Sequence, residues 1–331
     1  MLKGRKLSFL GLLFILVLSM SLLAGCGAPQ AQAPTEPATQ TDPVANEPVA
    51  ETPQVDGQQV IKDAATKYYE KMPANLYKIS EDETKALLDK GELGDYLVVD
   101  ITTSESYAEG HIPGAIYVPF KEVGKNLDLI ATNAKGKKGV LVVCVSGQTA
   151  GQAVAALNML GIPSRSVNLG MKLGWNAKKY PTDKTPVEPM AAEAYDWSDK
   201  APIKEVVEKY FEKMPDGMFG LYKISQDDLK AQLDSNPEKF LVVDVRGTEE
   251  YNKGTIKGAI DVPFKEVSKS FDKIAELGQG KTVVVACFTG QTAGQTDAVL
   301  NLIGIKTVSL NRGITAGWVG EKGFELVPPT K

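Results

Sequence analysis

Two cysteines of this chain lie in the same sequence pattern, and that pattern suits chemistry at sulfur. Residues 142–153 read VVCVSGQTAGQA, and residues 285–296 read VACFTGQTAGQT. In each copy an apolar run ends at a cysteine, Cys144 or Cys287, and a polar loop with a glycine precedes a helix-compatible segment. Backbone N–H groups converge at such a loop, where they bind anions and stabilise a thiolate. The pattern therefore predicts one reactive sulfur, or two, held in a cradle of N–H groups.

The other residues of the two loops are predicted to surround this sulfur. Glycine lets the backbone curl close to the sulfur without a side chain in between. Threonine can donate a hydroxyl hydrogen bond or cap the helix that follows. The predicted substrate-binding residues of the two loops are Gly147, Gln148, Thr149, Gly290, Gln291 and Thr292.

The loops belong to a duplication that covers most of the chain. KYYEKMP at residues 67–73 matches KYFEKMP at 209–215, and GAIYVPFKEV at 114–123 matches GAIDVPFKEV at 258–267. The period of about 140 residues is too long for a solenoid unit and suits two similar domains. The predicted organisation is a signal peptide at 1–25, a Pro-rich tether at 26–56, a first domain at 57–185, a linker at 186–202 and a second domain at 203–331.

Each repeat has the pattern of an α/β domain. The segments YLVVD and FLVVD are continuously apolar, as expected for strands buried on both faces of a mostly parallel sheet flanked by helices. Helices are predicted at residues 58–71, 81–90, 203–213 and 226–233, and a short strand is predicted at each LYKIS segment. Ser80 and Ser225 are predicted N-caps. In such sheets the ligand site lies beyond the carboxyl ends of the strands, where both cysteines fall.

Each leading helix carries a pair of aromatic residues, Tyr68 and Tyr69 in the first repeat and Tyr210 and Phe211 in the second. We expect each pair to pack its helix onto its own domain.

The N-terminus has the features of an export signal. Basic residues precede an apolar run at 7–23, and Leu-Ala-Gly-Cys then ends at Cys26. This segment resembles the lipobox of bacterial lipoproteins, in which the cysteine is acylated, and the alternative is an uncleaved transmembrane anchor. Residues 28–56 are rich in Pro, Ala, Thr and Glu and are predicted to be a disordered tether. Both alternatives place the globular part outside the cytoplasm, anchored to the cell membrane.

Composition limits the possible partners. A hydrophobic content of 43% and a charged content of 24% describe a globular protein with real cores. The formal net charge of −4 gives no electrostatic footprint for nucleic acid. Cysteines of an exported protein first suggest disulfides, but Cys144 and Cys287 occupy equivalent places in two repeats. Two independent thiols therefore fit better than a disulfide, which would need the two loops to face each other closely.

Three blocks of sequence resemble the rhodanese family of sulfurtransferases in both repeats. They are DVRGTEEYNKGTIKGAIDVPF at 244–264 with its counterpart, the cysteine loop, and the late glycine followed by tryptophan. The loops CVSGQT and CFTGQT resemble the Cys-x-x-Gly-x-Thr loops of thiosulfate and mercaptopyruvate sulfurtransferases. The resemblance implies a cysteine persulfide, a small sulfur-containing anion such as thiosulfate as donor, a thiol or cyanide-like acceptor, and no cofactor or metal.

Two differences between the repeats bear on which cysteine works. The second repeat has Arg246 and Glu250 where the first has Thr102 and Ser106. Because both members change together, we expect an ion pair between Arg246 and Glu250, which either shapes an anion pocket or braces the loop. This difference makes Cys287 the first choice as catalytic residue, ahead of Cys144.

His111 is the sole histidine, in a place where the family has a structural histidine; a general-base role is the alternative.

Neither loop contains the arginine that many family members carry there. Arg312, in the loop after the last strand of the second repeat, is the predicted substrate-binding cation, and Lys172 is its weaker counterpart in the first. A non-catalytic lipoprotein that binds a partner or a sulfur anion is the second hypothesis. The phosphatase or arsenate-reductase branch of the fold is the last, because its longer loop ends in an arginine that grips an oxyanion.

Overall fold

The computed structural model describes residues 56–329, in which the two repeats fold in the same way. The predicted signal peptide, Cys26 and all of the predicted tether except Asp56 lie outside the described residues. Among residues 56–329 no helix is long and apolar enough to cross a bilayer.

Among residues 56–329 each repeat contributes five strands and five α-helices. In the first repeat these are α1 (Gly57–Glu70), β1 (Lys78–Ile79), α2 (Glu81–Asp89), β2 (Leu97–Asp100), α3 (Ser104–Glu109), β3 (Ile116–Tyr117), α4 (Leu127–Ala134), β4 (Val140–Val143), α5 (Gln148–Met159) and β5 (Ser164–Val167). In the second they are α6 (Ala201–Glu212), β6 (Lys223–Ile224), α7 (Gln226–Ser235), β7 (Phe240–Asp244), α8 (Thr248–Asn252), β8 (Ala259–Asp261), α9 (Phe271–Leu277), β9 (Thr282–Ala286), α10 (Gln291–Leu302) and β10 (Thr307–Leu310).

The strands form two five-stranded sheets. Their orders are β1-β5-β4-β2-β3 and β6-β10-β9-β7-β8, and neighbouring strands of each sheet run parallel. Every residue of β2 and β4 is buried, because helices cover both faces of the sheet. The predicted fold class, two tandem α/β domains with parallel sheets flanked by helices, is confirmed.

The helix starts follow the local sequence. Ser80 caps α2 through a reciprocal capping box, in which its hydroxyl accepts from the Glu83 amide and the Glu83 side chain accepts from the Ser80 amide. Ser225 caps α7 by accepting from the Asp228 amide. Both predicted N-caps are therefore confirmed.

The strand predicted at each LYKIS segment is shorter than expected. Leu76 and Tyr77 adopt φ values of 56° and 54°, and their counterparts Leu221 and Tyr222 adopt 57° and 52°. A left-handed residue cannot continue an extended strand. Only the Lys-Ile pair that follows enters the sheet, as β1 and β6.

The leading helices pack onto their own repeat, as expected from the aromatic pairs, and also across to the other repeat. Tyr68 stacks on Tyr77 and Tyr210 stacks on Tyr222, each within its own repeat. The Tyr69 ring of α1 contacts Phe264 and Phe271 of the second repeat at centroid distances of 5.7 and 6.1 Å. Reciprocally, the Phe211 ring of α6 lies 5.6 Å from Phe120 of the first repeat. One apolar cluster thus runs through both repeats, because each leading helix covers apolar surface that the other sheet leaves open.

The two helices that follow the cysteine loops, α5 and α10, cross closely at a glycine of each. A Cβ atom on Gly151 would lie 2.5 Å from the Gln291 carbonyl oxygen, and one on Gly294 would lie 2.5 Å from the Gln148 carbonyl oxygen. Glycine is therefore required at both places by the approach of the opposite backbone.

Candidate active site

Each cysteine sulfur accepts hydrogen bonds from two backbone N–H groups. The Sγ of Cys144 lies 3.1 Å from the Gly147 nitrogen and 3.3 Å from the Ala150 nitrogen. The Sγ of Cys287 lies 3.1 Å from the Gly290 nitrogen and 3.3 Å from that of Ala293. Both cysteines are free thiols and are buried. The two loops therefore form equal cradles that stabilise a negative charge on sulfur.

The local sequence explains why the loop closes around the sulfur. β4 and β9 end directly before the cysteine, and the loop glycine then takes a left-handed conformation as the helix N-cap, with φ of 88° at Gly147 and 90° at Gly290. The first amides of α5 and α10 have no partner within the helix, and the third of them, at Ala150 and Ala293, donates to the sulfur.

The loop threonines lie inside the helices and do not cap them. The helices begin at Gln148 and Gln291, with glycine as the N-cap, so the capping role considered for Thr149 and Thr292 is wrong. Neither hydroxyl has a hydrogen-bond partner within residues 56–329. Both hydroxyls are therefore free to donate to a bound anion.

A second loop in each repeat binds the backbone of the cysteine. The π-helical turns Gly170–Trp175 and Gly313–Val319 follow β5 and β10. The Met171 amide donates to the Cys144 carbonyl at 2.7 Å, and the Ile314 amide donates to the Cys287 carbonyl at 2.6 Å. These bonds fix the cysteine backbone at the carboxyl edge of the sheet.

The loop glutamines bind the opposite repeat, which corrects their assignment to substrate. The Nε2 of Gln148 donates to the Ser309 hydroxyl at 2.8 Å, and its Oε1 accepts from the Arg312 amide at 3.1 Å. The Nε2 of Gln291 donates to the Ser166 hydroxyl at 2.7 Å. Both side chains are buried. Their repeated presence is explained by the contact between the repeats.

A second pair of glutamines, which the sequence did not single out, has the same function. The Nε2 of Gln152 donates to the Leu221 carbonyl at 3.0 Å, and the Nε2 of Gln295 donates to the Leu76 carbonyl at 3.1 Å. These carbonyls belong to the left-handed segments before β6 and β1. Gln152 and Gln295 lie four residues after the loop glutamines Gln148 and Gln291, so each pair of amides shares one helix face. This spacing could have identified the second pair from the sequence.

Arg246 pairs with Asp244 and not with Glu250, so the predicted ion pair is wrong. The guanidinium donates to both carboxylate oxygens, with Nη2 at 2.7 Å from Oδ2 and Nε at 3.0 Å from Oδ1. Nη2 also donates to the Gly254 carbonyl at 2.7 Å. Glu250 instead accepts from Lys253. Because the Arg246 side chain is only 4% exposed and is held by Asp244 and the Gly254 carbonyl, its predicted contact with substrate is not supported.

The first repeat supports the equivalent carboxylate differently. Asp100 accepts from the amide and the hydroxyl of Thr102, and its second oxygen is buried without a partner. Burial raises the pKa of Asp100, while the Thr102 hydrogen bonds and the charge of His111 lower it. His111 is buried, stacks on Tyr107 and donates through Nδ1 to the Tyr107 carbonyl at 2.9 Å. These are the contacts of a packing residue.

The two predicted anion-binding cations lie beside the loops. The Arg312 backbone is left-handed, with φ of 55°, and its guanidinium forms an ion pair with Glu321, while its Nε is buried without a partner. Lys172 lines a cavity of about 530 Å³ together with Val145, Thr102 and Ser106. Arg312 is thus already neutralised in part, and Lys172 faces open space.

Three other ionisable residues near the loops were not identified from the sequence. Burial lowers the pKa of Lys78 in β1 and of Lys223 in β6, and the charge of the cysteine of the opposite repeat raises it. Both lysines recur in the LYKIS segments, and this repetition could have pointed to them. Asp297 in α10 is fully buried and accepts from Gln152 and Thr307, and burial raises its pKa well above the usual range. Within residues 56–329 no group of three or more His, Cys, Asp or Glu side chains could hold a metal ion.

Comparison with known proteins identifies relatives of both repeats. The rhodanese-like domain family matches residues 80–178 and 225–321, more than half of the chain. A tRNA sulfurtransferase of Pyrobaculum aerophilum is 34% identical over 95 residues, which are 28% of this chain and 19% of that protein. The candidate sulfur carrier protein YrkF of Bacillus subtilis is 26% identical over 106 residues, which are 32% of this chain and 55% of that protein.

Solved structures include the thiosulfate sulfurtransferase of Pseudomonas aeruginosa, which is 19% identical, with 81% of this chain and 50% of that chain covered and a TM-score of 0.32. The chain spans about a fifth and about half of the length of the two curated relatives. The family match covers β2 to β5 and β7 to β10, the cysteine loops and the turns that support them. The chain therefore belongs to the rhodanese family and carries two rhodanese-like domains in tandem.

Proposed function

We propose that this protein is a sulfurtransferase that moves sulfane sulfur from a small anionic donor such as thiosulfate to a thiophilic acceptor through a cysteine persulfide. The observation that carries the proposal is the pair of N–H bonds, at 3.1 and 3.3 Å, on each cysteine sulfur. Exchange at sulfur needs a thiolate, and N–H donors at a helix N-terminus favour the charged form.

The reaction proceeds in two balanced steps. The cysteine thiolate attacks the outer sulfur of thiosulfate, the S–S bond of the donor breaks, and sulfite leaves with the electron pair. The cysteine persulfide anion then stands at the mouth of the loop, where the Thr149 or Thr292 hydroxyl is free to donate to it. Cyanide or a thiolate attacks the terminal sulfur, and the cysteine leaves as a thiolate.

Both cysteines are proposed to act. The preference for Cys287 rested on Arg246 and Glu250, and Arg246 is engaged by Asp244 and not free for substrate. The sulfur–nitrogen distances of the two cradles are equal. The residues next to the cysteines, Val145 and Phe288, are 43% and 40% exposed, so each loop presents a surface to solvent.

The test is a thiosulfate:cyanide assay on residues 56–331 with the wild-type protein, Cys144→Ala, Cys287→Ala and the double variant. We expect each single variant to retain a share of the activity and the double variant to lose it. Mass spectrometry after thiosulfate treatment should show one added sulfur on each remaining cysteine. Absence of both turnover and persulfide with several sulfur donors would instead favour a non-catalytic binding protein.

We further propose that the mature protein is lipid-anchored through Cys26 on the extracytoplasmic face of the cell membrane. The charged and apolar N-terminal segment and the Leu-Ala-Gly-Cys sequence support this proposal. The full-length protein produced in a bacterium should lose residues 1–25 and gain acyl mass on Cys26, and Cys26→Ala should abolish both changes. A mature mass without acyl chains would exclude the anchor.

A further inference from the structure

Two lysines at equivalent places in the repeats are half-buried without a counter-ion. Lys78 lies in the edge strand β1, and Lys223 lies in the edge strand β6. Neither ammonium makes an ion pair or a side-chain hydrogen bond within residues 56–329. Neither Nζ is fully buried, so each ammonium is a partly desolvated cation that a small anion can reach, and its repetition points to an anion that completes the arrangement.

The strand register directs Lys78 toward the second repeat. Lys78 is the partner of Ser166 in the parallel pair of β1 and β5, and partners in such a pair project to the same face of the sheet. The Ser166 hydroxyl accepts from the Gln291 side chain at 2.7 Å. Gln291 follows Gly290, whose amide donates to the sulfur of Cys287. The face that carries Lys78 is therefore the face that meets the Cys287 loop.

The same chain of contacts leads from Lys223 to the first repeat. Lys223 is the partner of Ser309 in the pair of β6 and β10. The Ser309 hydroxyl accepts from the Gln148 side chain at 2.8 Å, and Gln148 follows Gly147, whose amide donates to the sulfur of Cys144. The two arrangements are thus reciprocal.

The electrostatics of the lysines follow this geometry. Burial lowers the pKa of Lys78, and the charge of Cys287 raises it. Burial likewise lowers the pKa of Lys223, and the charge of Cys144 raises it. In each case the sulfur that acts on the lysine belongs to the other repeat.

We propose that each cysteine loop is completed by a lysine of the opposite repeat: Lys78 binds the anionic donor and the persulfide at Cys287, and Lys223 binds them at Cys144. This inference rests on the proposed sulfur transfer. The thiolate, the persulfide and the departing sulfite are all anions, and the loops lack a cation of their own. An ammonium brought from the other repeat supplies the positive charge, and it selects small anionic sulfur donors over neutral ones. Neither repeat then forms a complete site alone.

A crossed set of variants tests the assignment. Lys78→Gln and Lys223→Gln are each made in proteins that keep one cysteine, obtained with Cys144→Ser or Cys287→Ser. Lys78→Gln should lower kcat/KM for thiosulfate about tenfold where Cys287 alone remains and leave the Cys144-only protein unchanged. Lys223→Gln should do the reverse. A general folding defect would impair both single-cysteine proteins, and the exposed Lys306→Gln should affect neither.

A second readout does not depend on sulfur transfer. The rate of alkylation by iodoacetamide is measured against pH for each single-cysteine protein. Removing the cation should shift the pH–rate profile of the thiol in the opposite repeat only toward higher pH, and Lys→Arg should restore it. If turnover is absent but this crossed shift is present, the proposed activity fails while the lysine assignment stands. Equal shifts at both thiols, or none, would overturn the assignment.

Discussion

The two repeats hold their sulfur atoms identically but support the neighbouring carboxylate in different ways. In the second repeat Asp244 receives Arg246 bidentately and also the Thr255 hydroxyl at 2.8 Å. In the first repeat Asp100 has Thr102, and one oxygen is left unpartnered. His111 occupies the place of Thr255, and its Nε2 is also buried without a partner.

The difference identifies which residues change together. Arg246 with Thr255 in one repeat corresponds to Thr102 with His111 in the other, so each buried carboxylate has one basic residue nearby. Glu250 and Ser106, which also differ between the repeats, lie at the surface and are not among the residues that support the carboxylate. A duplicated sequence therefore reveals a compensating pair only when the contact between its members is known.

The largest expected effect comes from removing the cation of the second repeat. Arg246→Thr should lower the free energy of unfolding by about 3–5 kcal/mol, because it leaves the carboxylate of Asp244 buried and largely unpaired. Denaturant titration followed by circular dichroism measures the change.

Two variants sharpen this comparison. Glu250→Ser removes only an exposed partner of Lys253 and should change stability little. Adding Thr255→His to Arg246→Thr reproduces the first repeat's arrangement and should recover part of the loss. If Arg246→Thr and Glu250→Ser were equally destabilising, the two residues would act as a pair after all.

A smaller effect, visible in its pH dependence, concerns Asp297, whose counterpart in the first repeat is Val154. Burial holds the pKa of Asp297 well above 3.8, against the opposing hydrogen bonds from Gln152 and Thr307. The folded chain thus keeps this proton to a higher pH than the unfolded chain. Its contribution to stability is complete below about pH 4 and is lost as the pH rises toward the folded-state pKa, by about 1.4 kcal/mol for each pH unit.

Asp297→Asn has no such proton and should flatten that dependence. Denaturant titrations of both proteins between pH 4 and 8 give the difference, in which the other titrating groups cancel. A constant difference across this range would mean that Asp297 titrates alike in the folded and unfolded chains.

The smallest expected effect is at Arg312, where the first repeat has Leu169. Arg312 and Glu321 are 30% and 36% exposed, so their pairing is screened by water. Glu321→Gln should free the guanidinium and lower the KM for thiosulfate at Cys287 by no more than about fivefold. The Cys144-only protein, assayed in parallel, should not respond. An unchanged KM at Cys287 would remove Arg312 from the substrate-binding residues.

Much of the site could be predicted because it is local in sequence. An apolar run, a cysteine and a loop glycine before a helix are enough to define the cradle, since the N–H groups that reach Sγ are three and six residues away. The same holds for the N-caps Ser80 and Ser225 and for the buried parallel strands. These features depend on backbone geometry over a few residues.

The assignment of side chains to partners could not be predicted in the same way. Gln148 and Gln291 lie in the loops, yet their amides bind serines more than a hundred residues away in the chain. The leading helices cover the opposite repeat because apolar burial is non-directional and does not specify which exposed face a helix covers.

The sequence by itself determined the duplicated α/β fold and the two cysteine cradles, because local patterns of burial and backbone conformation encode them. Only the tertiary structure decided that Arg246 binds Asp244, that the repeated glutamines join the repeats, and that Lys78 and Lys223 lie on the sheet faces that meet the opposite cysteine loops. Those contacts connect residues that are distant in the chain, and strand register and helix crossing bring them together.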